Sequence, residues 1–151
     1  MIELSNYKHK IKETVKFHEV DLLGVCNNAV YFNYFEDARI KYLQDLKANY
    51  KISEIMEGNS FFIIAHNYCD YLLSATLDDE LEILTKISRL KNTSFEIEHI
   101  VVNSFTDDII AKGGGVLVHI NKEDKTKIQL PESFYNAVLD FENEVEVTKK
   151  E

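Results

Sequence analysis

The sequence predicts an α+β fold in which an antiparallel sheet wraps one long helix. Three observations carry this. A segment near the start alternates apolar and charged residues, as a strand does. One long, aromatic-rich segment then repeats at helical spacing. Four further strand-like segments follow in succession, joined by short polar connections.

In the first segment Tyr7, Ile11, Val15 and Phe17 fall on one face, and Lys8, Lys10, Lys12 and Lys16 on the other. Successive side chains of a strand point to opposite sides, so this is a half-exposed strand. Its lysine row would also guard an edge against pairing with another chain. Residues 19–27 read as a loop with Gly24 as the turn residue, and Asn27 or Asn28 offers a side-chain oxygen to cap a helix. That helix is expected over about residues 28–46. One stripe is Tyr31, Tyr34, Phe35, Ala38 and Tyr42; a second is Phe32, Arg39, Leu43 and Leu46. Apolar groups on more than one face predict a largely buried helix.

Strands are expected over residues 61–75, 80–90, 94–105 and 109–120. Leu81-Glu82-Ile83 and Phe95-Glu96-Ile97-Glu98 alternate as a sheet with one wet face should. Thr106-Asp107-Asp108 is short and polar, as a hairpin connection requires. Pro131 suits the first turn of a last short helix, whose stripe is Phe134, Val138 and Phe141.

At 151 residues, with 45% apolar and 28% charged residues, the chain reads as a single soluble domain over residues 1–151. A short charged tail is expected after about residue 142. No apolar run is long enough to span a bilayer, and residues 1–6 lack the basic and apolar regions of a signal peptide. The net charge of −9 disfavours broad nucleic-acid binding and docking on an anionic membrane. Cys26 and Cys69 match no metal spacing and read as reduced thiols of a cytoplasmic protein.

Residues 20–39 hold the densest chemical signal. A carboxylate, Asp21, stands in a loop just ahead of the long helix. The first N–H groups of a helix lack internal partners and carry the positive end of its dipole. They can polarise a carbonyl, which the carboxylate can attack or attack through water. A turn or capping role for Asp21 is the plain alternative.

This segment resembles the signature of the hotdog thioesterases of the 4-hydroxybenzoyl-CoA thioesterase-like family. Asp21, Gly24, Val25, Asn28, Ala29, Tyr31, Tyr34, Phe35, Glu36, Ala38 and Arg39 fit its pattern. Asp70-Tyr71-Leu72, Asp79-Glu80-Leu81-Glu82-Ile83, Ser94-Phe95 and Gly113-Gly114 extend the resemblance over most of residues 7–140. It implies a hotdog fold, a five- or six-stranded antiparallel sheet around a long central helix. It implies hydrolysis of an acyl thioester to free acid and thiol, without a cofactor, in a homodimer or homotetramer whose subunits join sheets with the active site between them. Asp21 matches the catalytic aspartate, as nucleophile or general base. The Asn28 N–H matches the group that polarises the thioester carbonyl, and Gly24 the turn between them. The Asn28 side chain would orient water or substrate, or cap the helix.

The chain departs from many relatives in having Val25 and Asn28 where they carry histidine. Plant acyl-carrier-protein thioesterases place Asn and His at the positions of Leu23 and Val25, so the single-aspartate acyl-CoA branch is the nearer resemblance. An acyl-carrier-protein thioesterase and a non-catalytic acyl-binding hotdog protein are the alternatives. Hotdog dehydratases use a catalytic histidine, and the helical segment has none.

Among other candidates, Tyr31 and the aromatics Phe32, Tyr34 and Phe35 are expected to line the substrate site. That would favour medium or aromatic acyl groups. Arg89 and Lys91, with Lys112, are candidates for coenzyme A phosphates, against a solvated-strand-end reading. Glu36 is a second acid or base, or a partner of Arg39 at i+3. Cys26 reads as a buried small residue, and His18 as exposed. His66, His99 and His119 lack ligand spacing, so no metal is expected. Gly113 to Gly115 mark a bulge or close helix packing rather than a phosphate loop.

Overall fold

The computed structural model describes residues 2–148. The strands are β1 (His9–Thr14), β2 (Ser60–Tyr71), β3 (Glu80–Leu90), β4 (Ser94–Asn103), β5 (Ile109–Asn121) and β6 (Glu146–Val147); the helices are α1 (Val30–Tyr50) and α2 (Glu132–Phe141). The sheet order is β1-β3-β4-β5-β2, all antiparallel. The short β6 runs parallel to β3 at Arg89 and Leu90, beyond the stretch of β3 that β1 covers.

The helix α1 lies in the curl of the sheet. Its buried residues are Tyr31, Tyr34, Phe35, Ala38, Arg39, Tyr42, Leu43 and Leu46. They recur at alternating intervals of three and one, which is a single face of an α-helix. The two stripes expected from sequence are thus halves of one face. The opposite face, with Asn33, Glu36, Asp37, Ile40 and Gln44, is exposed, so the expected largely buried helix is corrected to a one-sided one. The helix also runs four residues past residue 46 and ends at Lys51, whose left-handed φ of 53° turns the chain out. The Lys51 N–H closes on the Lys47 carbonyl.

Small residues in the sheet let the helix sit close. A Cβ at Gly113 would overlap the Phe35 ring and the Tyr68 carbonyl. At Gly114 and Gly115 it would overlap the Ile97 and His66 carbonyls. Opposite these glycines β2 carries a bulge between Ile64 and His66. Beside them His99 stacks on Phe35 at 4.7 Å and meets the Thr85 hydroxyl at 2.9 Å. Burial, with Arg39 nearby, pushes the His99 imidazole down to about 3, so it stays neutral.

Other boundaries shift for local reasons. Phe17, expected on the inner face, is 80% exposed, because β1 stops at Thr14 and Phe17–Glu19 form a 3-10 turn. Pro131 stands just before α2 as its cap residue. After α2, Glu142 is buried and accepts from the Tyr42 hydroxyl at 2.6 Å and the Ile87 N–H at 2.9 Å. The charged segment after residue 142 is seated on the sheet through β6; residues 149–151 lie outside the described residues. An antiparallel sheet wrapped round one long helix in this order is the hotdog arrangement.

Candidate active site

Residues 20–26 form a tight hairpin. Val20 bridges Cys26 in antiparallel fashion, and the Asp21 N–H donates to the Val25 carbonyl at 2.9 Å. The Gly24 N–H returns to the Asp21 carbonyl at 3.0 Å, with Gly24 at φ 77°, a conformation that glycine adopts at no steric cost. One Asp21 carboxylate oxygen accepts the Leu23 N–H at 2.8 Å, an Asx turn that fixes the side chain. Its other oxygen has no partner among the described residues, and the side chain is exposed.

The chain then enters α1. Val25 bridges Thr76, and the Cys26 N–H donates to the Ala75 carbonyl at 2.7 Å, which ties the hairpin to the segment leaving β2. Asn27 closes the turn just ahead of α1: its side-chain oxygen accepts the Ala29 N–H at 2.9 Å, and its carbonyl accepts the Val30 N–H at 2.9 Å. The Asn28 N–H donates to no acceptor among the described residues. The Asn28 carbonyl is held by the Tyr71 hydroxyl at 2.9 Å. Tyr71 in turn meets the Tyr31 ring edge-on at 5.5 Å. A cavity of about 150 Å³ opens here, walled by Val25, Cys26, Asn28, Tyr31 and residues 71–74. The structure therefore gathers Gly24, Asn28 and Tyr31 around the hairpin that carries Asp21, with Asp21 itself outside the cavity lining.

Two supporting residues were not singled out from sequence. Tyr71 holds the Asn28 carbonyl, on the peptide that follows the Asn28 N–H. Glu19 accepts the Tyr34 hydroxyl at 2.8 Å and the Lys16 N–H at 2.9 Å, pinning the turn before the hairpin to α1. Cys26 is buried, and burial pushes its thiol up, which disfavours the nucleophilic thiolate. Burial likewise raises Cys69 to about 11.

Other candidates are not brought together here. Tyr34 and Phe35 are core residues and Phe32 is half-buried, so of the four aromatics only Tyr31 lines this cavity. Arg89 and Lys91 lie at the far end of β3, about 30 Å along the strand from this hairpin. Arg89 is engaged by Glu96 at 3.0 Å and Glu146 at 2.8 Å, and Lys91 lies 3.8 Å from Glu96. Within one subunit the expected phosphate contacts are therefore internal ion pairs at strand ends. The chain's charge row did not distinguish these two uses. Among the described residues no three His, Cys, Asp or Glu side chains are grouped to hold a metal, and no helix is long and apolar enough to cross a membrane.

A family model described as the thioesterase-like superfamily matches residues 15–138. The chain is 30% identical over 112 residues to the uncharacterized protein YsmA of Bacillus subtilis, covering 74% of this chain and 72% of that protein. It is 32% identical over 85 residues to the acyl-CoA thioesterase YbgC of Haemophilus influenzae, covering 56% of this chain and 61% of that protein. Among solved structures, the PA5185 protein of Pseudomonas aeruginosa superposes with a TM-score of 0.80 at 20% identity, over 94% of this chain and 96% of that one. Slr0204, a 1,4-dihydroxy-2-naphthoyl-CoA thioesterase from Synechocystis, gives 0.73 at 17% identity, over 88% and 96%. At those identities the two structures speak to the fold.

Proposed function

Starting from the chain's membership of the thioesterase-like superfamily, and hence from thioester hydrolysis as its chemistry, we propose that it hydrolyses acyl-CoA with Asp21 and Asn28 as its catalytic groups. The observation that carries this is the unengaged Asn28 N–H at the start of α1, beside a hairpin whose tight turn presents a carboxylate with one free oxygen. A thioester carbonyl oxygen accepts the Asn28 N–H, and the helix dipole favours the negative charge that grows on it. The free Asp21 oxygen then attacks the carbonyl carbon, or takes a proton from a water that attacks it. The C–S bond breaks, the thiolate leaves and collects a proton, and the acid is released; on the covalent route water cleaves the acyl-aspartate afterwards. Gly24 makes the turn possible, and Tyr71 holds the Asn28 peptide.

The same reading includes a second copy of the chain. The β2 strand is an edge, bonded only to β5, and it exposes Ile63, Ile64, Tyr68 and Tyr71. Such an edge calls for a partner. An acidic carrier protein would need a broad basic docking face, which an overall charge of −9 disfavours, whereas a coenzyme A ester needs only a local cluster of Lys or Arg. The test is thiol release from a panel of acyl-CoAs, followed with a thiol reagent. Release from at least one ester at enzymic rates is expected. No release from any ester, with binding intact, would leave a non-catalytic acyl-binding protein.

A further inference from the structure

The largest concavity beside α1 is not the cavity at Asn28. It is a groove of about 440 Å³ between the outer side of α1 and the first half of β2, against about 150 Å³ at Asn28. Small-molecule sites generally run to ~300–1,000 Å³, so the groove has the capacity for a longer acyl chain, and the cavity only for a short one. Its walls are apolar, with Ile40 and Leu43 from α1 and Phe62 and Ile64 from β2. Its polar members are Glu36 and Arg39.

Arg39 is the unusual one. It is 9% exposed, yet its one side-chain hydrogen bond among the described residues goes to Glu36 at 3.4 Å, longer than the ~2.7–3.2 Å of a good N–H···O bond. Glu36 itself is mostly solvated, with its side chain 66% exposed. Burial lowers the guanidinium pKa, and the Glu36 charge, the smaller effect, opposes it. A largely buried cation held by one long bond has N–H groups left to offer a further acceptor. The other arginine, Arg89, has two carboxylates on its terminal nitrogens, although its Nε is buried without a hydrogen bond.

The position of the groove on β2 matters next. The Asn28 cavity sits at the Tyr71 end of β2, and the groove at the Phe61 to Ile64 end. When an antiparallel edge strand pairs with its own copy, each end of one strand lies beside the opposite end of the other. In full overlap of Ser60–Tyr71 with itself, Tyr71 faces Ser60, Tyr68 faces Ile63 and Asn67 faces Ile64. The two-fold axis is then normal to the sheet, so both helices stay on one side. The Asn28 cavity of one subunit therefore adjoins the Arg39 groove of the other. Within a single subunit Arg39 stands eleven residues along α1 from Asn28, about 16 Å.

Taking the two-subunit site of the reading above, with the thioester on Asp21 and Asn28 of one subunit and its acyl chain in the groove of the other, we propose that Arg39 of that groove binds a carboxylate at the chain's far end. The substrate class is thus acyl thioesters with a distal carboxylate. This rests on the hydrolase reading above and specifies it. The charge-assisted, two-pronged bond that a guanidinium makes to a carboxylate is what an ammonium or a neutral donor would not reproduce.

The experiment uses glutaryl-, adipyl- and hexanoyl-CoA with the wild type, Arg39→Met, Arg39→Lys and Asp21→Asn. The wild type is expected to prefer the carboxylated esters. Arg39→Met should lower the adipyl-to-hexanoyl ratio of kcat/KM by about 10–100-fold, mainly through KM, with Arg39→Lys in between. Heterodimers of Asp21→Asn with Arg39→Met, isolated by two affinity tags, should hydrolyse adipyl-CoA at about half the wild-type rate, because one of two shared sites is intact. A heterodimer no better than its parents would overturn the shared site. A wild type without preference for carboxylated esters would overturn the ligand class. Dissociation of Arg39→Met into monomers would do the same, because the arginine would then be serving the second copy. Should Arg39→Met misfold, Ile40→Trp, which fills the same groove from α1, takes its place in the heterodimer. A wild type inactive on every ester, plain or carboxylated, would instead fail the hydrolase reading itself.

Discussion

In the proposed chemistry Asp21 divides labour between its two oxygens. One is spent on the Leu23 N–H, which freezes the side chain, and the other is left unengaged. Replacing Asp21 with Asn keeps an oxygen for that turn bond, so the hairpin should survive. The amide is neither a base near neutral pH nor a competent nucleophile. Asp21→Asn should therefore lower kcat/KM by about 10²–10⁴-fold with circular dichroism unchanged. A folded variant with near wild-type kcat/KM would remove Asp21 from the chemistry and turn attention to Glu36. A second carboxylate gives a pH signature. Glu13 of β1 faces α1, and burial, followed by the neighbouring Asp37 carboxyl, raises it from an ordinary 4.5 to about 7. Lys16 opposes this and Glu19 adds to it. The folded protein thus keeps a proton that the unfolded chain releases. That contribution to stability is complete below about pH 4.5 and is lost as pH rises through about 7. Melting temperatures of the wild type should fall relative to Glu13→Gln across this window. Parallel curves for the two proteins would dismiss the retained proton.

At the scale of elements, α1 and the glycine run of β5 are fitted to each other. Gly113→Ala puts a methyl group where the Phe35 ring and the Tyr68 carbonyl already stand, so overpacking should cost about 1–3 kcal/mol in denaturant unfolding. A neutral result would mean that α1 is free to retreat from the sheet. Much of this architecture was legible in the sequence, because period two and period 3.6 write burial directly into residue order. The glycine run could also be read as close packing, since no lysine or helix follows it. The hairpin signal was legible in Gly24 and the flanking residues. Tyr71 and Glu19 were not, because their roles depend on which strand end and which turn come to lie against α1. Arg89 and Lys91 show the converse: a cation looks alike in sequence whether it awaits a phosphate or already faces Glu96 and Glu146. Phe17 fits the alternation of β1 on paper, yet the strand has ended before reaching it.

At the scale of the molecule, the unpaired side of β2 sets the expectation of a two-fold assembly. Light scattering at micromolar concentration should give twice the chain mass. Ile64→Asp, which puts a charge on this edge without touching the core, should shift the protein toward monomer and lower activity with it. A wild-type monomer would count against both the assembly and the shared groove. The same strand also has a history in time. Its register with β5 joins Ser60 to Asn121, whereas β3 with β4 and β4 with β5 are neighbours in the chain. During synthesis the β3–β4–β5 meander can zip as it emerges, because closing short loops costs little entropy. The β2 strand is made first and waits for the end of β5, with Phe61 to Ile64 in water meanwhile. Only once β5 accepts it is α1 enclosed, and only then is its other edge fit to meet a second copy. The edge proposed to meet a second copy is therefore an exposed aggregation hazard on the ribosome, and growth at high temperature or without chaperones should reveal it there first.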